Sequence, residues 1–157
     1  MSISTSTRLP IIRNIEEAAE ICHDFDAVVT AGPKKYEVSG WGHPNHLVVS
    51  FDDVTSDHYG DAPRREHIQK IVSWGAAQTG SLLVHCHAGI SRSTACAWGI
   101  AIARGFDPQD ALETLAEIHP DDRGWGQRTF RPNPLIVKHL EAIFGRNDLR
   151  TLLDRGF

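Results

Sequence analysis

Short apolar runs alternate with longer segments that carry apolar residues at helical spacing, a pattern typical of an α/β protein. The short runs are bounded by polar and small residues, so they predict strands rather than helices. The predicted strands cover residues 25–29, 47–51 and 81–85. The longer segments predict helices that begin near Asn14, Pro63, Ser91, Asp107 and Asn133. The chain is therefore expected to form a central, mostly parallel sheet flanked by helices.

Several helix ends carry specific signals. Asn14 followed by Glu17 resembles a capping box, in which a side-chain oxygen accepts from a backbone N–H of the first turn. Gly105 is expected to end the helix before it, and Asp107 with Pro108 to begin the next one. These boundaries support the alternation of strands and helices.

One domain accounts for the chain. Its 157 residues, 41% of them hydrophobic, suffice for a single well-buried core. Residues 1–10 are polar and rich in Ser and Thr, so they predict a flexible tail ahead of one domain over residues 11–157. No apolar run has the length of a signal peptide or a membrane span.

The net charge and the cysteine content limit which binding partners and which cellular compartment are expected. A net charge of −4 gives no electrostatic footprint for nucleic acid or an anionic membrane. Three cysteines, with Cys22 and Cys96 expected to be buried, argue against a disulfide framework and for the reducing cytoplasm. His43 and His46 are three residues apart but lack further ligands at metal-binding spacing, so no metal is predicted. A monomer is expected.

The most informative segment is HCHAGISRS at residues 85–93, between the third predicted strand and the most apolar helix. Cys86 would stand where backbone N–H groups and the helix dipole converge, an arrangement that binds anions and stabilises a thiolate. Arg92 offers a planar pair of donors to two oxygens of an oxyanion. This loop would thus supply both a nucleophile and a cradle for the group that it attacks.

Other residues of the segment have chemical roles of their own. Gly89 permits a backbone turn that a side chain could block, with N–H groups directed inward. Ser93 can donate a hydrogen bond to the sulfur and so help it leave, and His85 can orient the loop through its ring nitrogens. A buried structural cysteine before an ordinary helix would explain Cys86 alone, but not the whole set.

The segment resembles the phosphate-binding loop of the cysteine-dependent protein tyrosine phosphatases, His-Cys-x5-Arg-Ser/Thr, and most closely their compact dual-specificity branch. The resemblance implies two-step hydrolysis of a phosphomonoester without a metal or another cofactor. Cys86 would form a phosphocysteine, and Arg92 would bind the phosphoryl group. The residues that would surround the phosphate are His87, Ala88, Gly89, Ile90, Ser91 and Arg92.

The resemblance also implies an aspartate that protonates the leaving oxygen and then activates water. Family members of this type carry it on a loop after a strand upstream of the cysteine, and aligning the 47–51 strand favours Asp53. Asp52 and Asp57 remain alternatives on the same loop. Aspartates after a strand are also common simply as turn formers.

A third segment, residues 127–134, precedes the last large amphipathic helix. In the dual-specificity family an arginine and then Pro-Asn stand before this helix, and Arg128 and Asn133 match them as supporting residues. The family usually continues with Gly-Phe, whereas this chain has Pro134 and Leu135. Asn133 with Pro134 also forms an ordinary helix start, and the two interpretations are compatible.

The expected activity is that of a protein phosphatase acting on phosphotyrosine, with phosphoserine and phosphothreonine also open. No lysine stands between Cys86 and Arg92, which favours a single phosphate on a protein or a small aryl ester. Tyr36 and Trp41 are candidates for a wall against an aromatic ring. The alternatives are a catalytically silent phosphoprotein-binding module and another Cys-x5-Arg oxyanion enzyme, such as a nucleotide or RNA phosphatase or an arsenate reductase.

Overall fold

The computed structural model describes residues 8–119 and 130–155. Four parallel strands form one sheet in the order β1-β4-β2-β3. The strands are β1 (Ile11–Arg13), β2 (Ala27–Gly32), β3 (His46–Ser50) and β4 (Leu82–His85). The helices are α1 (Ile15–Ile21), α2 (Arg65–Ala77), α3 (Arg92–Ala103), α4 (Pro108–Ile118), α5 (Pro134–Phe144) and α6 (Leu149–Asp154). Short 3₁₀ turns lie at Cys22–Asp24 and Lys35–Glu37.

The predicted α/β fold with a parallel sheet is confirmed, and the strand register explains where a site can form. Arg13 and Thr30 pair with His85 across β4, and Gly32 pairs with Ser50. The carboxyl ends of all four strands therefore meet at one edge of the sheet. In open parallel sheets this edge is where ligands bind.

Helix α3 lies in the middle of the core. Its residues Arg92 to Ala101 are all buried, which agrees with the apolar character predicted around the whole helix. Trp98, its largest side chain, is fully buried, and its indole N–H donates to the Pro108 carbonyl at 2.8 Å. Because α3 is packed on every side, its first turn has a fixed position under the loop that follows β4.

The predicted helix starts hold in the structure with small shifts. Asn14 caps α1 by accepting from the Glu17 N–H at 2.8 Å, and Asp107 caps α4. Helix α2 begins at Arg65, after the expected Pro63. Strand β1 was not predicted, because a three-residue strand carries too few positions to show a pattern.

The structure gives a partial account of the expected N-terminal tail. Residues 1–7 lie outside the described part of the chain. Residues 8–10 do contact the domain, since the Arg8 carbonyl accepts from Arg104 Nη1 at 2.7 Å and Pro10 is buried. Chain packing thus begins before residue 11. Within residues 8–119 and 130–155 no helix is long and apolar enough to cross a membrane.

Candidate active site

The loop that joins β4 to α3, residues 86–91, together with Arg92 is called the Cys–Arg loop. Cys86 is only 2% exposed, and its Sγ accepts the Gly89 N–H at 3.3 Å. The Ser93 hydroxyl lies 3.2 Å from the same sulfur. The thiol donates to this hydroxyl, whereas a thiolate would accept from both the hydroxyl and the Gly89 N–H, two contacts that favour negative charge on the sulfur. The structure therefore brings together Cys86, Gly89 and Ser93 as the sequence predicts.

The Cys–Arg loop is braced by the start of α1. Gly89 has a φ of +73°, in the left-handed region, and a Cβ at this position would lie 2.9 Å from the backbone of Arg13. The Ile15 N–H donates to the His87 carbonyl at 2.9 Å. Glycine is thus required at position 89 both for its backbone conformation and for close packing.

Arg92 is buried, at 7% exposure, and its guanidinium is held from two sides. Nη1 donates to the Phe51 carbonyl at 2.7 Å, and Nη2 donates to His87 Nδ1 at 2.9 Å. Gly32 lies directly against this side chain, where a Cβ would collide with Arg92. Nε is buried and has no hydrogen-bond partner among the described residues. A buried cationic donor without an acceptor fits an oxyanion as its missing partner.

Asp53 is the aspartate that contacts the Cys–Arg loop. Its Oδ1 accepts from Ser91 Oγ at 2.8 Å and from Asn133 Nδ2 at 2.8 Å. Asp52 is exposed, and its backbone N–H donates to the Asp61 carbonyl at 2.7 Å. Asp57 lines a separate surface cavity of about 310 Å³. Of the three candidates, only Asp53 contacts the loop.

Asn133 connects this aspartate with α5. Its Oδ1 accepts from the N–H groups of Leu135 and Ile136, and its own backbone N–H donates to the Ser91 carbonyl at 3.1 Å. The side-chain amide at the same time donates to Asp53 and to the Val54 carbonyl. Asn133 is therefore both a helix cap and a bridge between two loops. Arg128, its predicted companion, lies outside the described residues.

His85 lies under the Cys–Arg loop and is fully buried. Its Nδ1 donates to the Cys86 carbonyl at 2.9 Å, so in the neutral ring Nε2 accepts from the Thr30 hydroxyl at 2.7 Å. Thr30 Oγ1 in turn accepts from His46 Nε2 at 2.7 Å. Trp41 packs against the imidazoles of His46 and His85. This arrangement fixes the tautomer of His85 and, through it, the Cys86 peptide.

Burial has a consequence for the pH dependence of folding. Burial lowers the pKa of His85 from 6.5 to about 4, and it also lowers the pKa of His46. Between about pH 4 and pH 6.5 the unfolded chain binds a proton at His85 that the folded chain does not. The free energy of unfolding should therefore be highest above about pH 6.5 and fall by up to about 3 kcal/mol as the pH drops to 4.

We expect His85→Asn, which cannot be protonated, to reduce this pH dependence. The measurement is urea unfolding of wild type and variant at several pH values between 4 and 7. The variant can be less stable at every pH, so the slope of unfolding free energy against pH is compared, not its absolute value. Equal slopes in the two proteins would contradict the assignment of His85 as a buried neutral base.

Three residues around the loop are not identified by the sequence analysis. Thr30 is the one polar residue of a strand that is buried at every position. His119, at the end of α4, lies with Nε2 2.7 Å from the Gly89 carbonyl. Glu37, in the turn after β2, lies with Oε1 2.7 Å from His87 Nε2. Only Thr30 had a usable signal, since a polar side chain inside an apolar strand needs a buried partner.

Solved structures with this architecture identify the fold. The structure of human DUSP28 matches with a TM-score of 0.62 at 15% identity, over 97% of this chain and 99% of DUSP28. DUSP15 matches with a TM-score of 0.59 at 19% identity, over 93% of this chain and 90% of its own. Tk-PTP in its active form gives 0.58 at 20% identity, over 94% and 100%.

The chain has the protein tyrosine phosphatase fold. The resemblance to compact dual-specificity phosphatases is thereby confirmed at the level of the fold. No protein-family model and no curated protein matches the sequence. With identities this low, the chemistry has to be argued from the geometry of the Cys–Arg loop itself.

Proposed function

We propose that the protein hydrolyses phosphomonoesters on proteins, with Cys86 as nucleophile and Asp53 as general acid. The observation that carries this proposal is the convergence of three groups on one loop. Cys86 Sγ accepts from the Gly89 N–H and lies 3.2 Å from the Ser93 hydroxyl, the buried Nε of Arg92 has no acceptor among the described residues, and Asp53 contacts Ser91 of the same loop. These are a nucleophile, an oxyanion clamp and a proton donor.

The two chemical steps follow from this arrangement. The Cys86 thiolate attacks phosphorus while Asp53 gives its proton to the leaving oxygen, which yields an alcohol or phenol and a phosphocysteine. Water, deprotonated by Asp53, then attacks phosphorus, and inorganic phosphate leaves as the thiolate is restored. Ser93, 3.2 Å from the sulfur, stabilises the thiolate as it leaves. Arg92 and the loop N–H groups balance the phosphoryl charge throughout.

The surroundings of the loop favour a phosphotyrosine side chain. No Lys or Arg lies between Cys86 and Arg92, so the loop offers no cation for a second phosphate. Tyr36 is 77% exposed in the same short turn as Glu37, whose carboxylate contacts His87 of the loop. The turn thus lies beside the loop, and an exposed aromatic side chain on it can stack on a phenyl ring but gains little from a phosphothreonine.

The test is phosphate release from para-nitrophenyl phosphate, a phosphotyrosine peptide and the matched phosphothreonine peptide, in the presence of chelator and reductant. We expect activity on the first two substrates and a higher kcat/KM for the phosphotyrosine peptide. Tyr36→Ala should reduce that preference by about 10-fold or less, in line with one aromatic contact. No release from any of these substrates would contradict the proposal, and equal rates on both peptides would contradict the preference.

A further inference from the structure

Glu37 is a surface residue whose carboxylate is nevertheless held by both of its oxygens. Oε1 accepts from His87 Nε2 at 2.7 Å, and Oε2 accepts from the Lys34 N–H at 2.8 Å. The Lys34 N–H is the main reason that the pKa of Glu37 lies below its ordinary value, and His87 adds to the effect. The side chain of Glu37 therefore presents a fixed negative charge to the ring of His87.

The hydrogen bonds determine the tautomer of His87. A guanidinium has donors only, so Arg92 Nη2, 2.9 Å from His87 Nδ1, requires this nitrogen to be an unprotonated acceptor. The proton of the neutral ring then sits on Nε2, and the Glu37 carboxylate accepts a hydrogen bond from this N–H. Without Glu37 the ring could carry its proton on Nδ1 instead, where it would face the donors of Arg92.

The orientation of Arg92 depends on this acceptor. Its Nη1 is bound to the Phe51 carbonyl and its Nη2 to His87, and these two contacts fix the plane of the guanidinium. Nε remains as a buried donor that has no partner in the described part of the chain. If the acceptor on His87 were lost, one of the two anchors would be removed and the guanidinium could rotate. Preorganised donors bind an oxyanion better than mobile ones.

We propose that Glu37 is a positioning residue for Arg92, acting through the Nε2-protonated tautomer of His87. The inference rests on the proposed function, because it concerns how the Cys–Arg loop binds a phosphoryl group. It assigns to the Lys35–Glu37 turn a role in anion binding, although no atom of Glu37 needs to touch the substrate.

The sign of the effect separates this proposal from simple electrostatics. Glu37 is an anion close to an anion-binding loop, so its charge alone repels phosphate, and removing that charge should tighten binding. If Glu37 instead positions Arg92, its removal should weaken phosphate binding. We expect Glu37→Ala to bind inorganic phosphate about 10-fold more weakly than wild type, the size of a typical coupling between contacting polar groups.

The primary measurement is calorimetric titration with inorganic phosphate, which needs no turnover, together with its inhibition constant in the phosphatase assay. Glu16→Gln is the matched control. Glu16 is exposed and follows Ile15, which binds the other side of the loop at the His87 carbonyl. The Glu16→Gln substitution removes one negative charge near the loop without changing the contacts of His87, so phosphate binding should stay the same or tighten slightly. Thermal unfolding checks that each variant is folded.

A double-mutant cycle tests the path through His87. If Glu37 acts only through this ring, Glu37→Ala should add almost nothing to the loss caused by His87→Ala. His87→Asn places an oxygen near the position of Nδ1, so it should recover part of the loss of His87→Ala and be insensitive to Glu37→Ala. A structural role of the turn would give additive losses and no such recovery.

The outcomes are distinguishable from failure of the proposed function. Weaker phosphate binding in Glu37→Ala supports the inference even if the wild type releases no phosphate from any ester. Binding equal to or tighter than that of an active wild type would overturn the inference and leave the phosphatase activity intact. Absence of phosphate binding by the wild type would overturn both.

Discussion

Cys86→Ser should abolish turnover while leaving oxyanion binding in place. A serine hydroxyl is not ionised at neutral pH and is a far weaker nucleophile than a thiolate. We expect kcat to fall by about 10⁴-fold or more, as for loss of a nucleophile in other enzymes that form covalent intermediates. Arg92 and the Gly89 N–H remain, so inorganic phosphate should still bind within a few-fold of the wild-type affinity.

The two other cysteines provide the control for this substitution. Cys22 and Cys96 are buried thiols, and burial raises the pKa of each, so both stay protonated and unreactive. Cys22→Ser should therefore retain turnover, whereas loss of the same group at Cys86 removes it. Turnover of Cys86→Ser at a rate close to wild type, with phosphate binding intact, would eliminate Cys86 as the nucleophile.

Asp53→Asn should lower kcat by about 10²–10⁴-fold, the usual cost of a lost general acid. The amide keeps an oxygen for the hydrogen bonds from Ser91 and Asn133, so the loop should stay in place. It cannot give a proton to the leaving oxygen. The loss should thus be larger for phenyl phosphate, whose phenolate is a poor leaving group, than for para-nitrophenyl phosphate. The alkaline limb of the pH–rate profile should disappear.

The matched control is Asp52→Asn. Asp52 is the exposed neighbour whose backbone, not its side chain, is bound to Asp61. Its substitution changes the net charge by the same amount at almost the same place and should alter kcat by no more than a few-fold. If Asp52→Asn shows the large loss and the changed pH profile while Asp53→Asn does not, the acid has been assigned to the wrong residue.

The part of the site that could be predicted is the part that is local in sequence. Cys86, Gly89 and Arg92 lie on one loop between a strand and a helix, so their spacing alone brings them together. Thr30, on β2, contacts His85 just before this loop, and Glu37, in the turn after β2, contacts His87 within it. No local pattern encodes such contacts. Trp41 packs against His85, and its place in a wall of the pocket stays a prediction.

The choice among the aspartates shows what the structure adds. From sequence, Asp52, Asp53 and Asp57 share a loop, and a shift of one residue turns a side chain to the other side. The path of the chain after β3 decides which of them faces Ser91, and this path depends on the distant Asn133. The two possible roles of Asn133, helix cap and loop bridge, turned out to be satisfied together because its side chain has both an acceptor and donors.

The central claim, covalent catalysis at Cys86, is tested most directly by trapping the intermediate. The protein is mixed with para-nitrophenyl phosphate, quenched in acid within milliseconds, digested and analysed by mass spectrometry. We predict one phosphoryl group on the peptide that contains Cys86, none on those that contain Cys22 or Cys96, and loss of the signal in Cys86→Ser. Release of phosphate with no phosphoryl group on Cys86 at any time point would contradict the account.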